Sequence, residues 1–334
     1  MKKALITGGA GFVGSHLTDA LLVEGQEVTV FDFLPLKRTV NLSSAKTHSR
    51  FTFIEGDIRN KAALEKVFSK KFDTVYHLAS IVGVHRYMDD PLGLIDITVI
   101  GTRNVAELAQ KYETQIVYTS TSEVYGKNPK VPWDEDDDRV LGSTNVDRWS
   151  YSASKGLSEQ MLLGLHKKTG HPVTIVRFFN AYGPRQNPIF VVSQSVHRIL
   201  NGKKPLLYDG GQQTRCFTYI EDAISGTIAA ATKLAGQGQV FNIGNNREIT
   251  IKEIVELIIR YSGKKISWEN FDTNRKFGAV YEDIPRRVPA IAKAKKLLNW
   301  EPKISHEEGV RKTIEWARNN PWWLVRPIEN SKNK

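Results

Sequence analysis

The sequence predicts an α/β protein, a doubly wound parallel sheet with a smaller C-terminal lobe. Three observations carry this. The first is a strand that breaks into glycines and becomes a helix, over Lys3-Ala4-Leu5-Ile6-Thr7-Gly8-Gly9-Ala10-Gly11-Phe12-Val13-Gly14-Ser15-His16-Leu17. The second is an alternation of short aliphatic runs with helical patterns through the first half, which implies a parallel sheet covered on both faces. The third is a hydroxyl-rich strand end, Thr119-Ser120-Thr121-Ser122. In such sheets ligands bind outside the carboxyl ends of the strands.

The glycine turn comes first. A Cβ at Gly8, Gly11 or Gly14 would hold the backbone away from a pyrophosphate. The helix opening there aims its free N–H groups and positive dipole end at phosphate. Gly8, Gly11, Phe12, Val13 and Gly14 are therefore the expected phosphate-side contacts of a dinucleotide. The next strand, 27–31, ends in Asp32, 18 residues beyond Gly14. A carboxylate there accepts hydrogen bonds from both adenosine ribose hydroxyls and repels a 2′-phosphate, so NAD is favoured. Lys37 and Arg38 leave NADP disfavoured rather than excluded.

Further strands are expected at 51–55, 74–78, 115–120, 172–178 and 240–243, and shorter ones at 205–207 and 215–220. Helical patterns fall at about 60–69, 91–111, 150–168, 191–201, 222–234, 251–261, 291–298 and 306–319. Residues 1–180 are read mainly as the dinucleotide domain and 181–320 mainly as the smaller lobe, with some later segments returning to the sheet. In the tail, 321–334, Trp322 and Trp323 are expected to pack on the body and the last five residues to fray. The acidic run 134–138 reads as a solvated loop, not a metal site.

Composition narrows the class. A chain of 334 residues, 40% hydrophobic and 25% charged, is ordinary for a soluble enzyme. The single cysteine, Cys216, excludes an internal disulfide framework and a multi-cysteine metal site, which fits a reducing compartment. No apolar run reaches the ~20 residues of a spanning helix. The first residues read as a strand rather than a signal peptide, and a cytoplasmic protein is expected. The net charge of +11 is scattered, with small clusters at 293–296 and Arg286-Arg287. No basic stripe interleaved with aromatics is present, so nucleic acid is not the expected partner. Such an excess suits small anionic substrates.

The chemistry centres on Tyr151-Ser152-Ala153-Ser154-Lys155. On a helix, positions i and i+4 share a face, so Tyr151 and Lys155 both point into the cleft beside Thr121. A nearby ammonium is expected to lower the phenol from its usual ~10 toward neutrality. A tyrosinate so placed takes a proton from a substrate alcohol while the carbon gives hydride to nicotinamide.

These stretches, with Gly56-Asp57, His77-Leu78-Ala79-Ser80 and Arg177-Phe178-Phe179-Asn180-Ala181-Tyr182-Gly183-Pro184-Arg185, resemble the extended short-chain dehydrogenases that act on nucleotide sugars, which have Rossmann folds. The resemblance covers nearly the whole chain. It implies that Asp57 and Ile58 hold adenine, and that Leu78 and Ala79 line the cofactor cleft. Thr121 would bond the reacting hydroxyl, Tyr151 would be the base, and Lys155 would bind nicotinamide ribose. Asn180 and Arg215 would hold the nucleotide pyrophosphate. The sequence departs from many relatives at Thr98, where they carry asparagine. A homodimer pairing the helices at 91–111 and 150–168 is implied by the resemblance alone.

Three reactions follow from a 4-keto intermediate. Hydride return to the other face gives a 4-epimerase. A 4,6-dehydratase typically needs Asp-Glu after the threonine, where this chain has Ser122-Glu123. A C6 carboxylate β to the ketone leaves as CO2. The Thr-Ser-Glu arrangement is similar to that of UDP-glucuronate decarboxylases. So are Arg148-Trp149-Ser150-Tyr151 and Tyr281-Glu282-Asp283-Ile284-Pro285-Arg286-Arg287-Val288-Pro289. By that likeness Arg287 grips the sugar carboxylate or assists proton delivery, Glu123 orients and protonates, and Ser122 joins the substrate contacts. Gln186-Asn187-Pro188-Ile189-Phe190 is short beside the matching stretch of many relatives, which leaves the nucleotide base open. A non-catalytic NAD sensor is the alternative of another class; it would be marked by loss of Tyr151 or Lys155, and both are present.

Overall fold

The computed structural model describes residues 1–83, 89–272 and 284–327. Tyr281, Glu282 and Asp283 and the final five residues lie outside them. The strands in chain order are β1 (Lys3–Thr7), β2 (Glu27–Asp32), β3 (Phe51–Glu55), β4 (Thr74–His77), β5 (Gln115–Thr121), β6 (Val173–Phe178), β7 (Ala181–Tyr182) and β8 (Leu206–Tyr208). They continue with β9 (Thr214–Arg215), β10 (Thr218–Tyr219), β11 (Gln239–Ile243), β12 (Ile249–Thr250) and β13 (Glu269–Phe271).

Seven of them form one sheet in the order β11-β6-β5-β4-β1-β2-β3. Every pairing in it is parallel. The order reverses between β1 and β4, which opens the crevice where such sheets bind ligands. Helices cover both faces. Leu17, Leu21, Ala223 and Ile224 belong to the core on one side, and Val105, Leu108 and Leu162 to that on the other. β11 lies beside β6, so the chain returns to the large sheet after entering the smaller lobe. Short pairs build that lobe: β7 with β10, β8 with β13, and β9 with β12.

Three local expectations are corrected. The stretch at 215–220 is not one strand. β9 pairs with β12 and β10 with β7, because Cys216 and Phe217 are buried as the chain crosses between partners. The helical pattern at 91–111 is interrupted by a π-turn, Asp96–Ile100. There the Thr98 carbonyl accepts hydrogen bonds from the Thr102 hydroxyl at 2.5 Å and the Ser158 hydroxyl at 3.1 Å, side chains that compete with the backbone ladder. The acidic run is not wholly solvated: Glu135 is buried and accepts the Asn242 N–H at 2.8 Å. Burial raises its pKa first, and backbone hydrogen bonds pull the other way. In the tail, the Trp323 ring is buried and its N–H donates to the Gln186 carbonyl at 2.8 Å.

Candidate active site

The crevice is floored by the glycine turn. Gly8 adopts φ 74° and its N–H donates to the Phe31 carbonyl at 2.9 Å. A Cβ on Gly14 would lie 2.4 Å from the Gly8 oxygen and 2.6 Å from the Gly9 Cα, so only glycine lets the helix pack on the turn. The helix Phe12–Val23 starts at Gly11 with no side-chain cap, leaving its first N–H groups for an anion. Leu78 and Ala79 form the opposite wall. The Leu78 N–H donates to the Thr7 carbonyl at 3.0 Å, and a Gly8 Cβ would sit 2.7 Å from the Ala79 nitrogen.

Asp32, the last residue of β2, lies against the turn at Ala10. Its carboxylate accepts the N–H groups of Ala10 at 2.9 Å and Leu34 at 3.1 Å. Burial raises its pKa, and these bonds oppose the rise. Asp57 is held by the Arg59 guanidinium at 2.6 Å, and Ile58 is buried against Gly101. A cradle of this shape, with a carboxylate at the end of β2, fits NAD; the bound cofactor supplies the hydride acceptor.

A polar chain beneath the turn was not foreseen. The Thr102 hydroxyl is committed to Thr98 O, so it accepts from His77 Nε2–H at 3.0 Å. His77 Nδ1 is then left to accept from the Thr7 hydroxyl at 2.7 Å. Burial first, and the Lys155 charge second, bring His77 down to about 3, so the ring is neutral. The only hint in the sequence was the His-Leu-Ala-Ser stretch at the end of β4.

β5 and the helix Arg148–Thr169 bring the reactive side chains together. Tyr151 is buried beside Thr121, whose hydroxyl bonds it and also accepts the Glu123 N–H at 3.2 Å. Lys155 Nζ donates to the Thr119 carbonyl at 2.8 Å and lies 4.7 Å from the centre of the Tyr118 ring. This corrects the expected effect on Tyr151. Burial, and then the Glu123 charge, push its phenol above the usual range. The ammonium is engaged elsewhere and does not offset them. Burial also brings Lys155 down to about 7.

Glu123 follows on the short turn Ser122–Tyr125, with Ser122 buried beside it. One carboxylate oxygen meets Arg287 Nη1 at 2.5 Å and the other meets Arg148 Nη2 at 3.4 Å. Burial would raise the carboxyl, but the charges of Arg287, Arg148 and Arg215 outweigh it and hold Glu123 at about 2. In this state it is an ionised carboxylate and not a proton donor. The Arg215 guanidinium is steadied by the carbonyls of Thr214 at 2.7 Å and Pro285 at 3.3 Å. Asn180 stands just beyond β6 with φ 40°, and its buried Oδ1 has no hydrogen-bond partner among the described residues.

Behind these groups lies a second arrangement that sequence reasoning missed. Arg177 on β6 and Asn242 on β11 are register partners. Arg177 pairs with Glu159 at 2.6 Å and donates to the Tyr125 hydroxyl at 2.8 Å, which donates in turn to Asn242 Oδ1 at 2.7 Å. Asn242 Nδ2 donates to the carbonyls of Trp133 at 2.9 Å and Ala290 at 3.2 Å. The segments bearing Glu123 and Arg287 are thereby tied to the sheet. A lone arginine in an apolar strand was the available signal.

A dinucleotide cradle facing a Tyr-Lys helix across a parallel sheet defines an NAD-dependent enzyme of the extended short-chain dehydrogenase type. Residues 5–313 match the family described as GDP-mannose 4,6 dehydratase, and the chain belongs to that family of NAD-dependent nucleotide-sugar enzymes. It is 39% identical over 326 residues to a UDP-N-acetyl-alpha-D-glucosaminuronate decarboxylase of Bacillus cytotoxicus, covering 95% of this chain and 98% of that one. It is 36% identical to UDP-glucuronic acid decarboxylase 1 of Xenopus tropicalis, over 95% of this chain and 72% of the relative. A UDP-glucuronic acid 4-epimerase from Bacillus cereus, solved with UDP-glucuronic acid and NAD, superposes with a TM-score of 0.84 at 32% identity, covering 95% of this chain and 99% of that one. The cofactor is NAD. Among the described residues no helix is long and apolar enough to cross a membrane.

Proposed function

We propose that the protein decarboxylates UDP-glucuronate or a related UDP-linked uronate through a 4-keto intermediate. The observation that carries this is Glu123 set between two buried guanidiniums, Arg287 and Arg148, with Arg215 close enough to act on its charge. Three cations gathered around one carboxylate make the region beside Tyr151 more attractive to an anionic group on the sugar than to a neutral hydroxymethyl. Tyr151 is the base for the C4 hydroxyl, with Thr121 orienting that hydroxyl and Lys155 holding the nicotinamide ribose. Once C4 is a ketone, the C5–C6 bond breaks, CO2 leaves and the electron pair passes into the enolate, which is protonated at C5. Asn180 and Arg215 would hold the pyrophosphate.

A second reading, 4-epimerisation of the same uronate, is favoured by the likeness to the Bacillus cereus enzyme. Proton NMR of the protein with NAD and UDP-glucuronate, and separately UDP-glucose, decides between them. A UDP-pentose or its 4-keto form supports decarboxylation. A second uronate without CO2 supports epimerisation and overturns the first reading. Interconversion of the glucose and galactose forms would overturn uronate specificity altogether.

A homodimer is also proposed. Leu92, Ile95, Ile100 and Leu157 lie exposed on the helices at 91–111 and 148–169, the pair through which the family resemblance implies a dimer. Sedimentation of Leu157→Glu tests it: the variant should run as a monomer where the native chain runs as a dimer.

A further inference from the structure

Glu123 has two guanidiniums and divides its oxygens between them: Oε1 to Arg287 and Oε2 to Arg148. They come from different kinds of element. Arg148 is in the first turn of the helix Arg148–Thr169, three residues before Tyr151 and so on the same face. Its side chain is only 3% exposed, and its guanidinium lies 5.6 Å from the ring centre of Trp149, itself buried. Arg287 belongs to an irregular connection in the smaller lobe. That connection is held through its backbone, where Thr214 N–H donates to the Pro285 carbonyl at 3.0 Å and Trp133 N–H to the Val288 carbonyl at 2.8 Å.

We propose that Arg148 is the permanent counter-ion of Glu123 and that Arg287 is the exchangeable one, released to the sugar carboxylate when substrate binds. Arg148 is thus a positioning residue for Glu123 and, through it, for Tyr151. The inference rests on the uronate reading above and adds a division of labour between the two arginines.

The argument is one of charge balance. If Arg287 alone neutralised Glu123, turning to a substrate carboxylate would strand a buried anion, which is strongly unfavourable. With Arg148 fixed in place, the exchange ends with two carboxylates facing two guanidiniums. Among the described residues, the groups facing Glu123 are Arg287 and Arg215 from the lobe, Arg148 and Tyr151 from the helix, and Thr121 from β5. The opposed cations keep it ionised despite its burial.

The test reads Glu123 directly, without substrate. Glutamate is labelled at the side-chain carboxyl carbon, and Glu123→Gln identifies the signal. In the native protein the signal should stay at its ionised position down to about pH 3, and it should remain well below the ordinary glutamate midpoint in Arg287→Gln. In Arg148→Gln the midpoint should rise by about one to three units. Arg148→Lys, which keeps the charge but loses the planar fork, should give a smaller rise and serves if the glutamine variant does not fold. An unmoved midpoint in the Arg148 variants overturns the proposal. So does a return to about 4.3 in Arg287→Gln.

Kinetics with UDP-glucuronate complete the test. Arg287→Gln should raise KM at least about tenfold, whereas Arg148→Lys should lower kcat with KM within about threefold. A KM rise in Arg148→Lys equal to that in Arg287→Gln would make Arg148 a substrate contact and overturn the assignment. If no uronate is turned over, the proposed reaction fails, and the titration still decides whether Arg148 holds Glu123.

Discussion

Arg286 and Arg287 are neighbours in sequence and face opposite ways. The Arg286 side chain is 57% exposed and grips Glu248 at 2.8 Å, while the Arg287 side chain is 8% exposed and meets Glu123 at 2.5 Å. One short connection thus carries both a surface pair and a buried one. The outer pair is screened by solvent and contributes little. The inner one sits in the crevice.

That asymmetry predicts different outcomes for the same substitution. Arg287→Lys keeps the charge but loses the planar fork, and should lower kcat/KM on a uronate about 10- to 100-fold. On a neutral UDP-hexose the loss should be small. Arg286→Lys should change kcat/KM on the uronate less than about twofold. Steady-state kinetics on both substrates checks the pair; equal losses on uronate and hexose in Arg287→Lys would contradict carboxylate recognition.

Tyr151→Phe removes one oxygen at the centre of the site and nothing from the cradle. Turnover should fall by about 10²- to 10⁴-fold, the range of general acid–base contributions. NAD binding should persist, because the glycine turn and Asp32 are untouched. Nucleotide released on denaturation, set beside the rate of sugar conversion, checks both halves. A variant with native activity would remove Tyr151 from its proposed role.

The parts of the site legible in the sequence are those encoded within one turn of chain. Gly8, Gly11 and Gly14 imply a close backbone approach, and Tyr151 and Lys155 share a helix face, whatever surrounds them. Asp32 follows because it ends the strand after the turn. The contacts that tune these groups are not local. Glu123 and Arg287 are 164 positions apart and meet only after the lobe folds over β5. Asn242 ties the Tyr125 hydroxyl to the Trp133 and Ala290 carbonyls, with nothing in Phe-Asn-Ile-Gly to announce it. The expected depression of Tyr151 failed for the same reason: spacing placed Lys155 nearby, but only the fold sends its ammonium to Thr119.

The cradle predicts its own weak point. Gly14→Ala would place a methyl 2.4 Å from the Gly8 oxygen, a backbone atom that cannot yield without opening the turn. NAD affinity should fall at least about 100-fold, corresponding to some 3 kcal/mol. Calorimetric titration with NAD measures it. An unchanged Kd would mean that the pyrophosphate does not lie over this turn.

Lys155 makes stability depend on pH in a definite direction. Its folded-state pKa is brought down to about 7 by burial, while an unfolded lysine titrates near ~10.4. Between these values the unfolded chain holds a proton that the folded chain has released. Unfolding therefore becomes less favourable as pH rises through that window. Below about pH 7 both states are protonated and the full cost of the buried ammonium is present. Lys155→Met removes this dependence along with the proposed ribose contact. Relative to the variant, the native protein should gain about 2 kcal/mol between pH 7 and pH 9, read from urea unfolding at each pH. The variant should be inactive throughout. If the stability difference stays flat, or moves in the variant's favour as pH rises, Lys155 is not the buried, depressed ammonium that its place between Thr119 and Tyr118 implies.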